Sequence, residues 1–164
     1  MRRQCRYAAQ VSATLLLLAS PITVAEALLN LSAGQVGIDR ALDNRGRYGL
    51  EYRFAATGRY RLVPALGIVG TASNAKYLYA EIKRDFYLGA HWYLTPGIGI
   101  VGFDGSDKLD LGLALEFRSG LELGYRFSSQ VRLGLALYHL SNASLGDENP
   151  GTEEIVISVN FPLR

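Results

Sequence analysis

Cysteine and histidine are scarce in this chain of 164 residues, which contains one cysteine and two histidines. The cysteine, Cys5, lies in an N-terminal segment with the character of a secretory leader. We therefore expect the mature protein to contain no thiol. This excludes disulfide bonds, cysteine nucleophiles and cysteine metal ligands from the mature chain.

The leader is predicted to comprise residues 1–27. Three arginines occur within its first six residues, a short apolar core runs from Val11 to Ala19, and residues 25–27 form a small-x-small cleavage site. The apolar core is too short to cross a membrane as a helix. We expect cleavage after Ala27, with Ala25 as the alternative, which leaves residues 28–164 as a single domain.

Net charge and long apolar runs are also lacking. The full chain has a formal charge of +2, and loss of the leader removes three arginines and one glutamate, so the mature chain is formally neutral. A basic surface is therefore not indicated, and we expect no nucleic-acid partner. No stretch of 18 apolar residues follows the leader, which excludes a helical membrane protein.

Apolar residues instead recur at every second position. This alternation predicts eight strands, over residues 32–40, 45–54, 60–70, 76–88, 92–103, 109–127, 130–141 and 153–163. The sixth strand is predicted to begin with Leu109, Leu111 and Leu113 on its apolar face. Segments of about ten alternating residues are long enough to cross a bilayer at a tilt.

The fold class that this pattern favours is all-β, as an eight-stranded antiparallel transmembrane β-barrel of the outer membrane. Charged residues of nearly balanced sign share the inner face, which indicates a filled lumen and not a pore. They are Arg47, Glu51, Arg53, Glu81, Lys83, Glu116, Arg118, Glu122 and Arg126. Tyrosines and Trp92 near strand ends are typical of interfacial girdles. A secreted lipocalin-like barrel is the structural alternative, and it would place the charged residues outside.

Three polar residues interrupt the apolar faces of the last two strands. His139 and Ser141 have the same parity as the leucines of their strand, and Glu153 has that of the isoleucines of the next. With both termini on the periplasmic side, the connection over residues 142–152 lies outside. We therefore expect the three side chains to face lipid at the level of the outer leaflet. Polar groups facing hydrocarbon are costly, so a function explains them better than a structural role does.

Serine, histidine and a carboxylate are the components of an acyl-transfer triad. His139 is the candidate base for the Ser141 hydroxyl, and Glu153 is the candidate to orient the imidazole. Asn142, Asn149 and backbone amides of the connection are candidates for an oxyanion hole or for support of the site. Each residue also has a structural interpretation: an interfacial histidine, a turn that ends a strand, and an acid at the headgroup level.

The segment His139-Leu140-Ser141-Asn142-Ala143, followed by Asn149-x-Gly151-x-Glu153, resembles the C-terminal signature of the outer-membrane lipid A 3-O-deacylases, the PagL family. The likeness extends more loosely over the second to eighth predicted strands. It implies an eight-stranded barrel with an outward-facing site that hydrolyses the 3-linked ester of lipid A and releases a 3-hydroxy fatty acid.

The same resemblance implies roles for individual residues. Ser141 would be the nucleophile, His139 the base and Glu153 its orienting partner, with Asn142 and Asn149 associated with the site. No metal and no cofactor is needed. The partners would be lipid A, or lipopolysaccharide, and the lipids of the outer membrane, and a homodimer is left open.

Two alternatives of different character remain at this point. One is a non-enzymatic small outer-membrane barrel with an adhesion or structural role. The other is a lipid A acyltransferase barrel, which would need its catalytic groups in the lumen. The odd parity of His139 and Ser141 argues against the second.

Overall fold

The computed structural model of this chain describes residues 26–39 and 45–163. The predicted leader lies, up to residue 25, outside the described residues. The strands are β1 (Ala27–Val36), β2 (Gly46–Arg53), β3 (Leu62–Thr71), β4 (Lys76–Arg84), β5 (Phe86–Leu88), β6 (Trp92–Asp104), β7 (Leu115–Arg126), β8 (Arg132–Ser141) and β9 (Thr152–Leu163). Within the described ranges, no helix is long and apolar enough to span a membrane.

The strands close into a barrel. Neighbouring strands pair antiparallel in the order β4-β3-β2-β1-β9-β8-β7-β6-β5, and β4 also pairs with β6. Only Asp85 separates β4 from β5, and both pair with β6, so the two segments form one interrupted barrel strand. The result is a closed eight-stranded antiparallel barrel, which confirms the predicted fold class and leaves no unpaired sheet edge among the described strands.

Apolar side chains cover the outside of the barrel. Ile68, Ile98 and Ile157 are exposed to 60%, 65% and 59% respectively. Of the nine charged residues predicted to face inward, eight are buried, and Arg126 is half-buried at the end of β7. This distribution excludes the lipocalin-like alternative, whose outside would be polar. The buried Glu154 is a further lumen acid, which follows from the same alternation that turns Glu153 outward.

Buried ion pairs fill the lumen. The Arg53 guanidinium donates to Glu51 at 2.5 Å and to Glu122 at 2.6 Å. Lys83 lies 2.6 Å from Glu81, and Arg118 also donates to Glu81. Burial of these charges is tolerated because each has an opposite charge within contact distance. The lumen is therefore a packed polar core and not a channel.

Three inward-facing tyrosines each lie over a glycine directly opposite on the neighbouring strand. The pairs are Tyr79 with Gly67, Tyr138 with Gly120, and Tyr93 with Gly124. In each pair a Cβ built on the glycine would come within 2.3 Å of the tyrosine ring. The rings fit only because these glycines have no side chain. These tyrosines belong to the lumen and not to an interfacial girdle.

Two of the predicted strand starts were wrong by five residues or more. The first strand begins at Ala27 and not at Ser32, because leucines on both of its faces hide the alternation at its start. The sixth strand begins at Leu115 and not at Leu109. Leu109 and Leu111 do not face lipid: both are buried, in a connection that bends at Gly112, where φ is +90°. This connection covers the lumen at one end of the barrel.

The connections alternate between the two ends of the barrel. One end, here called the site end, carries the described residues 37–39 that follow β1 and the connections over residues 72–75, 105–114 and 142–151. The opposite end carries those over residues 54–61, 89–91 and 127–131. His139, Ser141 and Glu153 all lie at the site end, as predicted.

Candidate active site

His139 and Glu153 form the centre of the candidate site. Strands β8 and β9 place them directly opposite each other in the antiparallel register. Their side chains point to the outside of the barrel, and His139 Nδ1 lies 3.0 Å from Glu153 Oε1. The two side chains are 49% and 35% exposed. A carboxylate bonded to Nδ1 fixes the imidazole tautomer and leaves Nε2 to act on a third group.

Ser141 is the last residue of β8 and lies on the same face as His139. Gly151 lies next to both side chains. A Cβ built on Gly151 would lie 3.3 Å from His139 Cε1 and 3.7 Å from Ser141 Cβ. Ser141 and His139 are not hydrogen-bonded to each other in this structure, which is common at catalytic pairs without substrate. The imidazole and the serine thus both lie beside one glycine.

The predicted oxyanion residues shape the connection after β8. Asn142 is fully buried, and its Nδ2 donates to the carbonyl oxygens of Leu111 (3.1 Å) and Glu148 (2.7 Å). Its backbone N–H donates to Asn149 Oδ1 at 3.0 Å. The side-chain amide of Asn142 therefore binds within the connection over residues 142–151 and also joins it to the connection over residues 105–114. Asn149 is exposed and lies against the peptide that follows Ser141.

One further polar side chain lies beside His139. Ser119 on β7 is exposed and directly opposite His139, on the side away from Glu153. The signal was present in the sequence, because Ser119 has the parity of the lipid-facing Leu121. Only the register of β7 against β8 shows that this serine is the neighbour of the imidazole. The candidate site therefore contains two serines from which to assign a nucleophile.

The part of the chain that the structure describes contains no group of three or more histidine, cysteine, aspartate or glutamate residues that could hold a metal ion.

Comparison with known proteins gives the family of this chain. The family model described as "Lipid A 3-O-deacylase (PagL)" matches residues 46–162. The chain belongs to this family. It is 27% identical over 120 residues to a protein named lipid A deacylase PagL from Bordetella bronchiseptica. The aligned region covers 63% of this chain and 64% of that protein. It is 30% identical over 73 residues to the protein of the same name from Pseudomonas aeruginosa, which covers 43% and 42% of the two chains.

The fold agrees with this membership. The structure aligns with a crystal structure of the outer membrane enzyme PagL with a TM-score of 0.65, over 83% of this chain and 99% of that chain, at 21% identity. At that identity the likeness shows a shared fold. The chain spans a little under two thirds of the length of the Bordetella relative. The family and the barrel together place this PagL-family protein in the bacterial outer membrane.

Proposed function

We propose that this protein is an esterase that removes the 3-O-linked primary acyl chain of lipid A in the outer leaflet. One observation carries the proposal above all. A histidine and a glutamate in contact at 3.0 Å, with a serine two residues further on, lie together on the lipid-facing side of the barrel. The family membership supports lipid A as the substrate and position 3 as the ester that is cleaved.

In the first half of the proposed reaction, Ser141 attacks the ester carbonyl carbon. His139 Nε2 takes the proton from the hydroxyl, and Glu153 stabilises the protonated ring through Nδ1–H. The tetrahedral intermediate then expels the 3-oxygen of the glucosamine, which receives the proton from Nε2 and leaves as a hydroxyl group. The acyl chain remains as an ester on Ser141.

In the second half, a water molecule attacks that ester. His139 again takes the proton and returns it to Ser141 as the acyl-enzyme breaks, which releases the 3-hydroxy fatty acid. The balance is one water consumed for one ester cleaved. No redox step occurs.

The oxyanion hole is assigned to the connection over residues 142–151. Asn149 accepts the Asn142 N–H through Oδ1, and its Nδ2 makes only a 3.5 Å contact with Ser144 Oγ, so Nδ2 is available to donate to a developing negative charge. Asn142, whose Nδ2 donates to Glu148 in its own connection and to Leu111 in the connection over residues 105–114, is proposed to support the site and not to donate directly.

The surface beside the site fits acyl chains. The next outward pair along β8 and β9 is Leu137 with Ile155, and the one after it is Leu135 with Ile157. These four side chains are all exposed. An acyl chain of lipid A lying along them would keep its apolar contacts while its ester reaches Ser141. The substrate would therefore stay in the membrane during the reaction.

The test compares wild type with Ser141→Ala in a Gram-negative host whose lipid A carries a 3-O-linked acyl chain. Lipid A is extracted and its mass spectrum recorded. Wild type is expected to produce lipid A that lacks one hydroxyacyl group, and Ser141→Ala is expected to leave lipid A unchanged at an equal level of folded barrel.

Ser119→Ala is the matched control, because it removes the other serine hydroxyl next to His139. We expect it to retain deacylation within a few-fold of wild type. A loss of activity in Ser119→Ala together with activity in Ser141→Ala would reverse the assignment of the nucleophile. Unchanged lipid A with folded wild-type protein would refute the esterase and favour a structural or adhesion role.

A further inference from the structure

The chain beyond β1 folds back against the backbone of Glu153. Strand β1 pairs with β9 as far as Val36 opposite Glu154. The next two residues leave the ladder but remain in contact with β9. The amides of Gly37 and Ile38 both donate to the carbonyl oxygen of Glu153, at 2.9 Å and 3.3 Å. The carbonyl group of Glu153 is thus bound from the β1 side of β9, and His139 on β8 lies on the other side.

Asp39 holds the amide side of the same residue. Its Oδ1 accepts the backbone N–H of Glu153 at 3.0 Å and the hydroxyl of Thr152 at 3.2 Å. Thr152 is buried, so this contact ties Asp39 to a fixed part of the barrel. Both backbone polar groups of Glu153 are therefore bound by one three-residue segment, residues 37–39.

The charge of Asp39 strengthens these contacts. Partial burial by itself would raise the pKa of the Asp39 carboxyl, but the hydrogen bonds from Glu153 and Thr152 outweigh it and lower the pKa below its ordinary value of 3.8. Asp39 is thus ionised at neutral pH. Hydrogen bonds to an ionised acceptor are shorter and stronger than those between neutral groups.

The position of Glu153 explains why such contacts matter. It is the second residue of β9, next to a turn, and the ends of strands open more readily than their middles. Its carboxylate must nevertheless stay within hydrogen-bond distance of His139 on β8. A shift of about 1 Å in a catalytic group can lower a rate by about 100-fold. The backbone of Glu153 therefore needs support that β8 alone does not supply.

We propose that Asp39 is a positioning residue for the deacylation reaction, which holds the Glu153 backbone so that the Glu153 carboxylate meets His139. This inference rests on the proposed function. Asp39 lies before residues 46–162, the part of the chain that the family model matches, so the family match does not assign it.

The test uses purified full-length barrels in detergent–lipid A mixed micelles. Asp39→Ala removes the acceptor, Asp39→Asn keeps an oxygen in the same place, and Asp107→Ala removes an exposed carboxylate from another connection of the site end. We expect Asp39→Ala to lower kcat about 10-fold or more with KM within about twofold of wild type. Asp39→Asn is expected to restore kcat to within about threefold, and Asp107→Ala to match wild type.

A second comparison separates positioning from general loosening of the barrel. If Asp39 acts through the Glu153 carboxylate, Asp39→Ala should change the residual rate of Glu153→Ala by less than about twofold. Should Asp39→Ala not fold, Asp39→Ser, which also removes the carboxylate, replaces it in every comparison.

Three results would overturn the inference. They are a kcat of Asp39→Ala within about twofold of wild type, an Asp39→Asn variant as slow as Asp39→Ala, and a full additional loss in the Glu153→Ala background. Failure of the proposed function is distinguishable from these, because folded wild type would then release no hydroxy fatty acid at all.

Discussion

Replacing Gly151 by alanine tests how the backbone builds the candidate site. Gly151 has φ of +56°, in the left-handed region that residues with a Cβ avoid. The strain of placing an ordinary residue there is about 1–2 kcal/mol. We therefore expect the free energy of unfolding of Gly151→Ala to fall by about that amount. Urea unfolding followed by the fluorescence of Trp92, the single tryptophan, measures it.

The added methyl group should also affect catalysis. It would lie 3.3 Å from His139 Cε1 and 3.3 Å from the carbonyl oxygen of Leu140. The carbonyl belongs to the β8–β9 ladder and cannot move easily. The close contact is therefore relieved by a displacement of the imidazole by a few tenths of an ångström. A displaced imidazole loses its alignment with Ser141 and Glu153. We expect kcat for lipid A deacylation to fall at least about 10-fold.

Gly58→Ala is the matched control for this prediction. Gly58 has φ of +68°, and a Cβ built on it meets no atom within 4 Å. It lies at the opposite end of the barrel, so Gly58→Ala should show the same loss of stability with unchanged deacylation. Wild-type kcat in Gly151→Ala, or an equal loss of kcat in both variants, would refute the argument that Gly151 shapes the site through contact with His139.

Two predictions concern the lumen. Arg53→Met should lower the free energy of unfolding by about 3–5 kcal/mol, because it leaves buried Glu122 without its cation and Glu51 with Lys83 alone; a midpoint in urea equal to that of wild type would contradict this. Gly124→Ala should cost about 1–3 kcal/mol, since its Cβ would lie 2.1 Å from Tyr93 Cζ. Gly102→Ala, whose Cβ would lie 3.6 Å from Leu78 Cγ, should cost less than about 0.5 kcal/mol in the same measurement.

The alternation of side chains along a strand predicted which residues face outward, and it uses only residues that are close in the sequence. Side chains alternate across any extended strand, so the outward direction of His139 and Glu153 follows from the residues next to them. The same rule was wrong for Leu109 and Leu111, whose spacing is that of a strand although they lie in a connection. Alternation alone does not show where a strand ends, because a loop that covers the lumen also needs apolar residues.

Contacts between distant parts of the chain could not be predicted in this way. Whether His139 lies opposite Glu153, and whether Ser119 lies on its other side, depends on the register of three strands. Asp39 reaches Glu153 across 114 residues of sequence, and nothing near Asp39 indicates that contact. The fold class and the family are confirmed, while the roles assigned to the site residues stay predictions until the variants are assayed.

The glycine–tyrosine pairs of the lumen have a consequence for how the barrel selects its strand register. A slip of one residue would turn every apolar side chain inward, but a slip of two residues would preserve the inside and outside faces. Between β7 and β8, a slip of two would move Tyr138 from Gly120 to a position opposite Arg118 or Glu122, each of which has a long side chain where Gly120 has none. The tyrosine–glycine pairs thus disfavour a slip of two residues during assembly, which the alternation of apolar and polar residues does not prevent.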